Sequence, residues 1–173
     1  MFRAFLKWLN IDFKQDEKLP ASNTGFTDKY DLLVARVNRN IENGDFDKAF
    51  NRLLSFIGAY PNFFEAQFYL ATLYQQSGNE VKAGKYFFFI EELNESQKEC
   101  ITAFEKSYGN DEIIILKKLL PKQHFKVKKL SHFQKRILYA RIKRIELKHG
   151  FVPVFCKGIY AHLQKCGSEI TGC

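Results

Sequence analysis

Proline and glycine are scarce in this chain, at 4 and 10 of 173 residues. So few breakers exclude a collagen-like or proline-rich low-complexity protein and leave room for long uninterrupted elements. No window approaches 18 consecutive apolar residues, so no membrane-spanning helix is expected. The opening residues, Met-Phe-Arg-Ala-Phe-Leu-Lys-Trp-Leu-Asn, lack the apolar core and small-residue cleavage site of a secretion signal. The expectation is a retained N-terminus and a cytoplasmic protein, with peripheral attachment at the inner face of the membrane as the alternative. Cysteine is sparse too: Cys100, Cys156, Cys166 and Cys173. In a reducing compartment these are expected as free thiols.

Catalytic signatures are missing as well. There is no glycine-rich phosphate loop, no Gly-x-Ser-x-Gly elbow and no His-Glu-x-x-His. Cys156, His162 and Cys166 offer three metal-ligand types, with His162 and Cys166 one helical turn apart, but three ligands do not close a zinc site and no Cys-x-x-Cys accompanies them. Cys100 or Cys156 with His124, His132, His149 or His162 would make a Cys/His pair, yet no spacing selects one. The chain is therefore expected to be non-enzymatic, with no cofactor, no metal and no small-molecule substrate.

What the chain does have is apolar bulk: 46% hydrophobic and 16% aromatic residues, 18 of them Phe, far too much for disorder. Charge is unevenly spread. Up to Leu116 there are 13 Lys/Arg against 17 Asp/Glu; between Lys117 and His149 there are 12 against one, Glu146. The formal net charge of +8 thus resides in one stretch of 33 residues.

Apolar spacing predicts an all-α fold. Phe2, Phe5, Leu6, Leu9 and Phe13 recur at three and four, the stripe of an amphipathic helix over 1–13, followed by an aperiodic linker, 14–27. From 28 to 173 a single helical domain is expected, with hairpins over 28–109 and a basic helical part over 110–173. Thr27 reads as the cap of a helix running to about Asn43 and stopped by Gly44. Further helices are expected over Phe46–Tyr60, Phe63–Ser77, Glu80–Leu93 and, capped by Asn94, Glu95–Tyr108. Residues 113–120 read as helix or loop, Ser131 as the cap of a helix to His149, and Pro153 as the start of a last helix to Lys165.

The hairpins echo one another. Gly44 matches Gly78, Asp45 matches Asn79, Ala49 matches Ala83 and Leu53 matches Phe87, each 34 residues apart, the period of the tetratricopeptide repeat. Gly44-Asp45-Phe46-x-x-Ala49 resembles that family's turn, with Pro61 where its terminal proline belongs; Leu70-Ala71-x-x-Tyr74-x-x-x-Gly78 and Ala83 resemble its helices. The first unit departs from the pattern at Arg36, Val37 and Asn40, and a third unit would need Gly and Ala where Glu112 and Lys117 stand. The resemblance implies two TPR-like antiparallel hairpins over about residues 30–95, completed by further C-terminal helices, since two repeats are fewer than an independent solenoid needs. The run Ala83-Gly-Lys-Tyr-Phe-Phe-Phe-Ile-Glu, with Ala103-Phe-Glu-Lys-Ser further on, also resembles an uncharacterised bacterial domain family of hairpin-hairpin-helix order.

These features point to binding rather than catalysis. The favoured expectation is a protein-interaction module that grips a partner protein with Phe64, Phe68, Tyr69, Tyr74 and Tyr86, for example as an immunity or antitoxin-type protein. The basic patch Lys128, Lys129, Lys135, Arg136, Arg141, Arg144 and Lys148 leaves three uses open: pairing with the acid-rich hairpins of its own chain, binding nucleic-acid phosphates, or docking an acidic protein or anionic membrane. The last would gain from residues 2–13 as a second membrane anchor, making the chain a peripheral adaptor.

Overall fold

The computed structural model describes residues 24–120 and 126–165, and side chains from residue 29 onward. The expected helix over 1–13, most of the linker, and Cys166 and Cys173 lie outside the described residues. Eight α-helices follow in order: α1 (Thr24–Glu42), α2 (Phe46–Ala59), α3 (Phe64–Gln76), α4 (Glu80–Phe87), α5 (Glu95–Ser107), α6 (Glu112–Leu119), α7 (His132–His149) and α8 (Val154–Lys165). A short 3-10 turn, Val127–Lys129, precedes α7. No strand occurs among the described residues, and no helix there is long and apolar enough to cross a membrane.

The chain divides into two compact units, Met1–Ala35 and Arg36–Cys173. Of the first, the described part is the opening of α1, which begins by Thr24, so Thr27 is not its cap and the linker does not reach residue 27. Nothing between Thr24 and Thr27 forbids helix: no proline intervenes, and a hydroxyl residue is tolerated in the first turn.

Within the second unit the two glycine turns repeat. Gly44 and Gly78 sit at φ of 77° and 75°, a left-handed conformation open to glycine at little cost. Asp45 N donates to Asn40 O at 2.8 Å, and 34 residues on Asn79 N donates to Tyr74 O at 2.8 Å. Burial repeats with them: Ala49 and Ala83, Leu53 and Phe87 are all fully buried. Ring contacts give the chain directions. Phe56 meets Phe63 while Phe50 meets Tyr74, so α2 and α3 run antiparallel. Tyr74 meets Tyr86 while Phe68 meets Phe87, and α4 likewise returns along α3.

The closest helix approach is α4 against α5. A Cβ on Gly84 would overlap the Cys100 carbonyl and lie 2.9 Å from Ile101 N, so only glycine lets these backbones meet. α4 is shorter than its apolar pattern suggests. Phe87, Phe88 and Phe89 are consecutive and all buried, which one helix face cannot achieve. The chain therefore leaves the helix: Phe87 packs on Phe68 of the hairpins, while Phe88 and Phe89 enter a second core. That core joins Phe104, Leu116, Leu138, Ile142 and Leu163 from α5 to α8.

Polar caps secure the ends. Asn94 and Gln97 form a capping box on α5, as Ser131 and Gln134 do on α7. Gln134 also donates to Phe89 O at 2.9 Å, tying α7 to the end of the phenylalanine run. The segment before α7 is held by Asn62, which accepts from Lys126 N at 3.0 Å and donates to Lys126 O at 3.2 Å.

Candidate interaction surfaces

Helix α7 carries most of the described basic residues, and its faces differ. Leu138, Ile142 and Ile145 recur at four and three and are buried. Arg141 flanks that stripe. Its guanidinium pairs with Glu105 of α5 and, at 2.7 Å, with Glu112 of α6, and it lies 4.6 Å from the centre of the Phe88 ring. Arg144 takes the other Glu112 oxygen at 2.6 Å. Lys143 pairs with Glu146 at 2.7 Å, and Tyr160 donates to the same carboxylate at 2.8 Å. The hydrogen bonds from Lys143 and then Tyr160 hold the Glu146 carboxyl below its ordinary range.

Three cations of the basic stretch thus have acidic partners within the chain. Lys128, Lys129, Arg136 and Lys148 are exposed and Lys135 is half-buried, without acidic partners among the described residues. Arg136 lies over the Phe133 ring at 6.0 Å.

The elbow between α7 and α8 is apolar and open. Leu147 is 75% exposed, Phe151 52%, Val154 82% and Phe155 42%. Lys148 and Lys157 are exposed beside them. Pro153 and Cys156 face inward at the same elbow, and Tyr160 stacks on Tyr139 at 5.6 Å, so α8 folds back along α7 and presents these four side chains outward. The sequence reading did not select them. A signal existed: Leu147 stands two residues past Ile145, off the buried stripe.

The five aromatic anchors proposed from sequence are distributed otherwise. Tyr74 is buried, stacked on Phe50 at 4.6 Å and on Tyr86 at 6.0 Å. Phe64 and Phe68 are half-buried against Phe89 and Phe87. The Tyr69 hydroxyl donates to Asn38, and burial pushes its phenol up to about 12. Burial, then Tyr74, pushes Tyr86 up to about 12 as well. These rings are largely occupied by one another.

Cys100 and Cys156 are buried free thiols. Burial raises both, Cys156 to about 11, so neither presents a thiolate near neutral pH. Among the described residues no three His, Cys, Asp or Glu side chains converge on a point.

Fold and surfaces together define an all-α protein of paired helices closed by a second, C-terminal core. The chain belongs to DUF6584, a family of unknown function, whose model matches residues 30–147. No curated protein and no solved structure matches the chain. The apolar elbow begins at Leu147, where the matched span ends, and its other three members lie beyond it.

Proposed function

We propose that this protein is a non-enzymatic module that binds a partner protein, and that the α7–α8 elbow is its principal contact. The observation that carries this reading is the exposed cluster Leu147, Phe151, Val154 and Phe155. Large apolar side chains grouped at one bend, with lysines beside them, are a common mark of an interaction surface, because leaving them in water forgoes the free energy their burial would release. The equal spacing of the Gly44 and Gly78 turns supports the further reading that the hairpins are a TPR-like pair acting as scaffold.

The test is capture from the source cell with the full chain, compared with a chain carrying Leu147→Glu, Val154→Glu and Phe155→Glu. All three side chains are exposed, so the thermal midpoint is expected to stay within a few degrees while retention of the partner falls at least tenfold. If the two proteins retain the same set, the elbow is not the contact. Nucleic-acid binding is separated by titrating duplex and single-stranded RNA at two salt concentrations. Salt-sensitive binding that survives the elbow changes and is lost with Lys128→Glu, Lys129→Glu and Arg136→Glu would put the basic segment in place of the elbow.

A further inference from the structure

A cleft of about 210 Å³ opens where α2, α4 and α6 meet. Leu54 and Ile57 of α2, Phe89 and Leu119 form its apolar wall, and Lys85 and Lys118 both line it, with Tyr86 beside them. No carboxylate lines it. Lysine ordinarily keeps its ammonium in water or against an acid. Here Lys85 is half-buried, and its ammonium lies 5.3 Å from the Tyr86 ring centre, with no acidic partner among the described residues. Lys118, likewise without one, lies 5.8 Å from the Tyr108 ring centre. Burial, and next the charge of Lys118, lower the Lys85 pKa from its ordinary value, so the site holds positive charge at a cost to the free protein.

We propose that this cleft binds a small organic carboxylate with an apolar body, its anionic end between Lys85 and Lys118 and its body against Leu54, Ile57, Phe89 and Leu119. The volume is below the roughly 300–1,000 Å³ that takes a drug-sized ligand, so the occupant is about the size of one amino-acid residue. A carboxylate fits better than a phosphate: the lining offers point charges, not the arginine fork or helix N-terminus that phosphate sites use. The source is either a free acid or the C-terminal residue of a chain. The inference does not rest on the elbow and stands or falls separately.

The test is a nuclear magnetic resonance titration of the full chain with N-acetyl-leucine, its neutral amide, a hexapeptide ending in leucine, and inorganic phosphate. N-acetyl-leucine is expected to shift the backbone amides of Lys85, Tyr86, Phe89 and Leu119 saturably, and the neutral amide to bind at least tenfold more weakly. Lys85→Met, which keeps the stem, is expected to lower affinity at least tenfold while the thermal midpoint holds; Lys118→Met gives a second, more exposed removal of charge. A hexapeptide at least tenfold tighter than N-acetyl-leucine identifies a chain terminus as the source, and equal affinity identifies a free acid. Absence of saturable shifts up to about 10 mM, equal affinity for the neutral amide, or indifference to both lysine changes would overturn the proposal. Displacement by phosphate at equal concentration would overturn it too, reducing the cleft to a plain cationic patch.

Discussion

The two 34-residue units open with the same turn and then close on the next helix by opposite means. Gly44 and Gly78 have the same backbone conformation, and Ala49 and Ala83 are equally buried. One residue later they part. Phe50 follows Ala49 and stacks its ring on Tyr74 of α3, whereas Gly84 follows Ala83 and lets the α5 backbone come into contact. Asp45 turns to pair with Lys48 at 2.8 Å, while Asn79 stays on the helix end and accepts from Lys82 N at 3.2 Å. At the preceding matched pair, Asn40 is buried with its Nδ2 unbonded and Tyr74 is buried among rings. A shared turn therefore fixes where a hairpin bends, and a single neighbouring residue decides what it packs against.

The largest break of this comparison is Gly84→Ala. Its methyl group has nowhere to go but the Cys100 carbonyl, and we expect a loss of about 3 kcal/mol in chemical denaturation, the upper range for overpacking. Gly58, also helical but with nothing within 4 Å of its Cβ position, is the control: Gly58→Ala is expected to be neutral or to gain up to about 1 kcal/mol. Equal costs at the two positions would show that α4 and α5 are not in backbone contact. Next in size, Gly44→Ala and Gly78→Ala are each expected to cost about 1 kcal/mol for a left-handed alanine. Values differing by more than the cost itself would mean that the turns are alike in shape but not in strain.

The smallest effect concerns alkaline pH. Tyr69 and Tyr86 titrate in the folded state at about 12, above the ordinary value of 10, so folding favours their neutral phenols. That contribution is complete below pH 10 and is lost as pH rises toward about 12. Tyrosinate absorbance should show these two lagging behind an exposed phenol, one of them disappearing in Tyr86→Phe. Simple titration of every tyrosine near 10 would contradict the burial described.

Much of the scaffold was readable from punctuation. Gly44, Gly78, Asn94, Ser131 and Gly150 each stop or start a helix where a cap or breaker predicts, because those signals act within a few residues. The start of α1 was misplaced, since a threonine that can cap need not do so. Gly84 passed unnoticed because a glycine inside a helix looks like a weak point until the neighbouring backbone is in place. The end of α4 was overrun because Phe87, Phe88 and Phe89 suit any apolar face, and only two separate cores explain the break. The aromatic anchors failed to separate surface from interior for the same reason: ring spacing does not say which rings stack together. Of the three uses open to the basic stretch, pairing within the chain accounts for Arg141, Lys143 and Arg144; the first and last required knowing that α7 lies beside Glu105 and Glu112. The elbow and the cleft were equally out of reach, one depending on how α8 turns back, the other on three helices far apart in sequence.

The phenylalanine run at the end of α4 bears on how the protein can be divided. Because Phe87 belongs to one interior and its two successors to the other, a fragment of hairpins alone would end in two bare rings, and one starting at α5 would lack them. The repeats cannot be excised here as a freestanding cassette. A shortened version that keeps its solubility would have to carry α1 through α8 or replace Phe88 and Phe89 with polar residues at the cut.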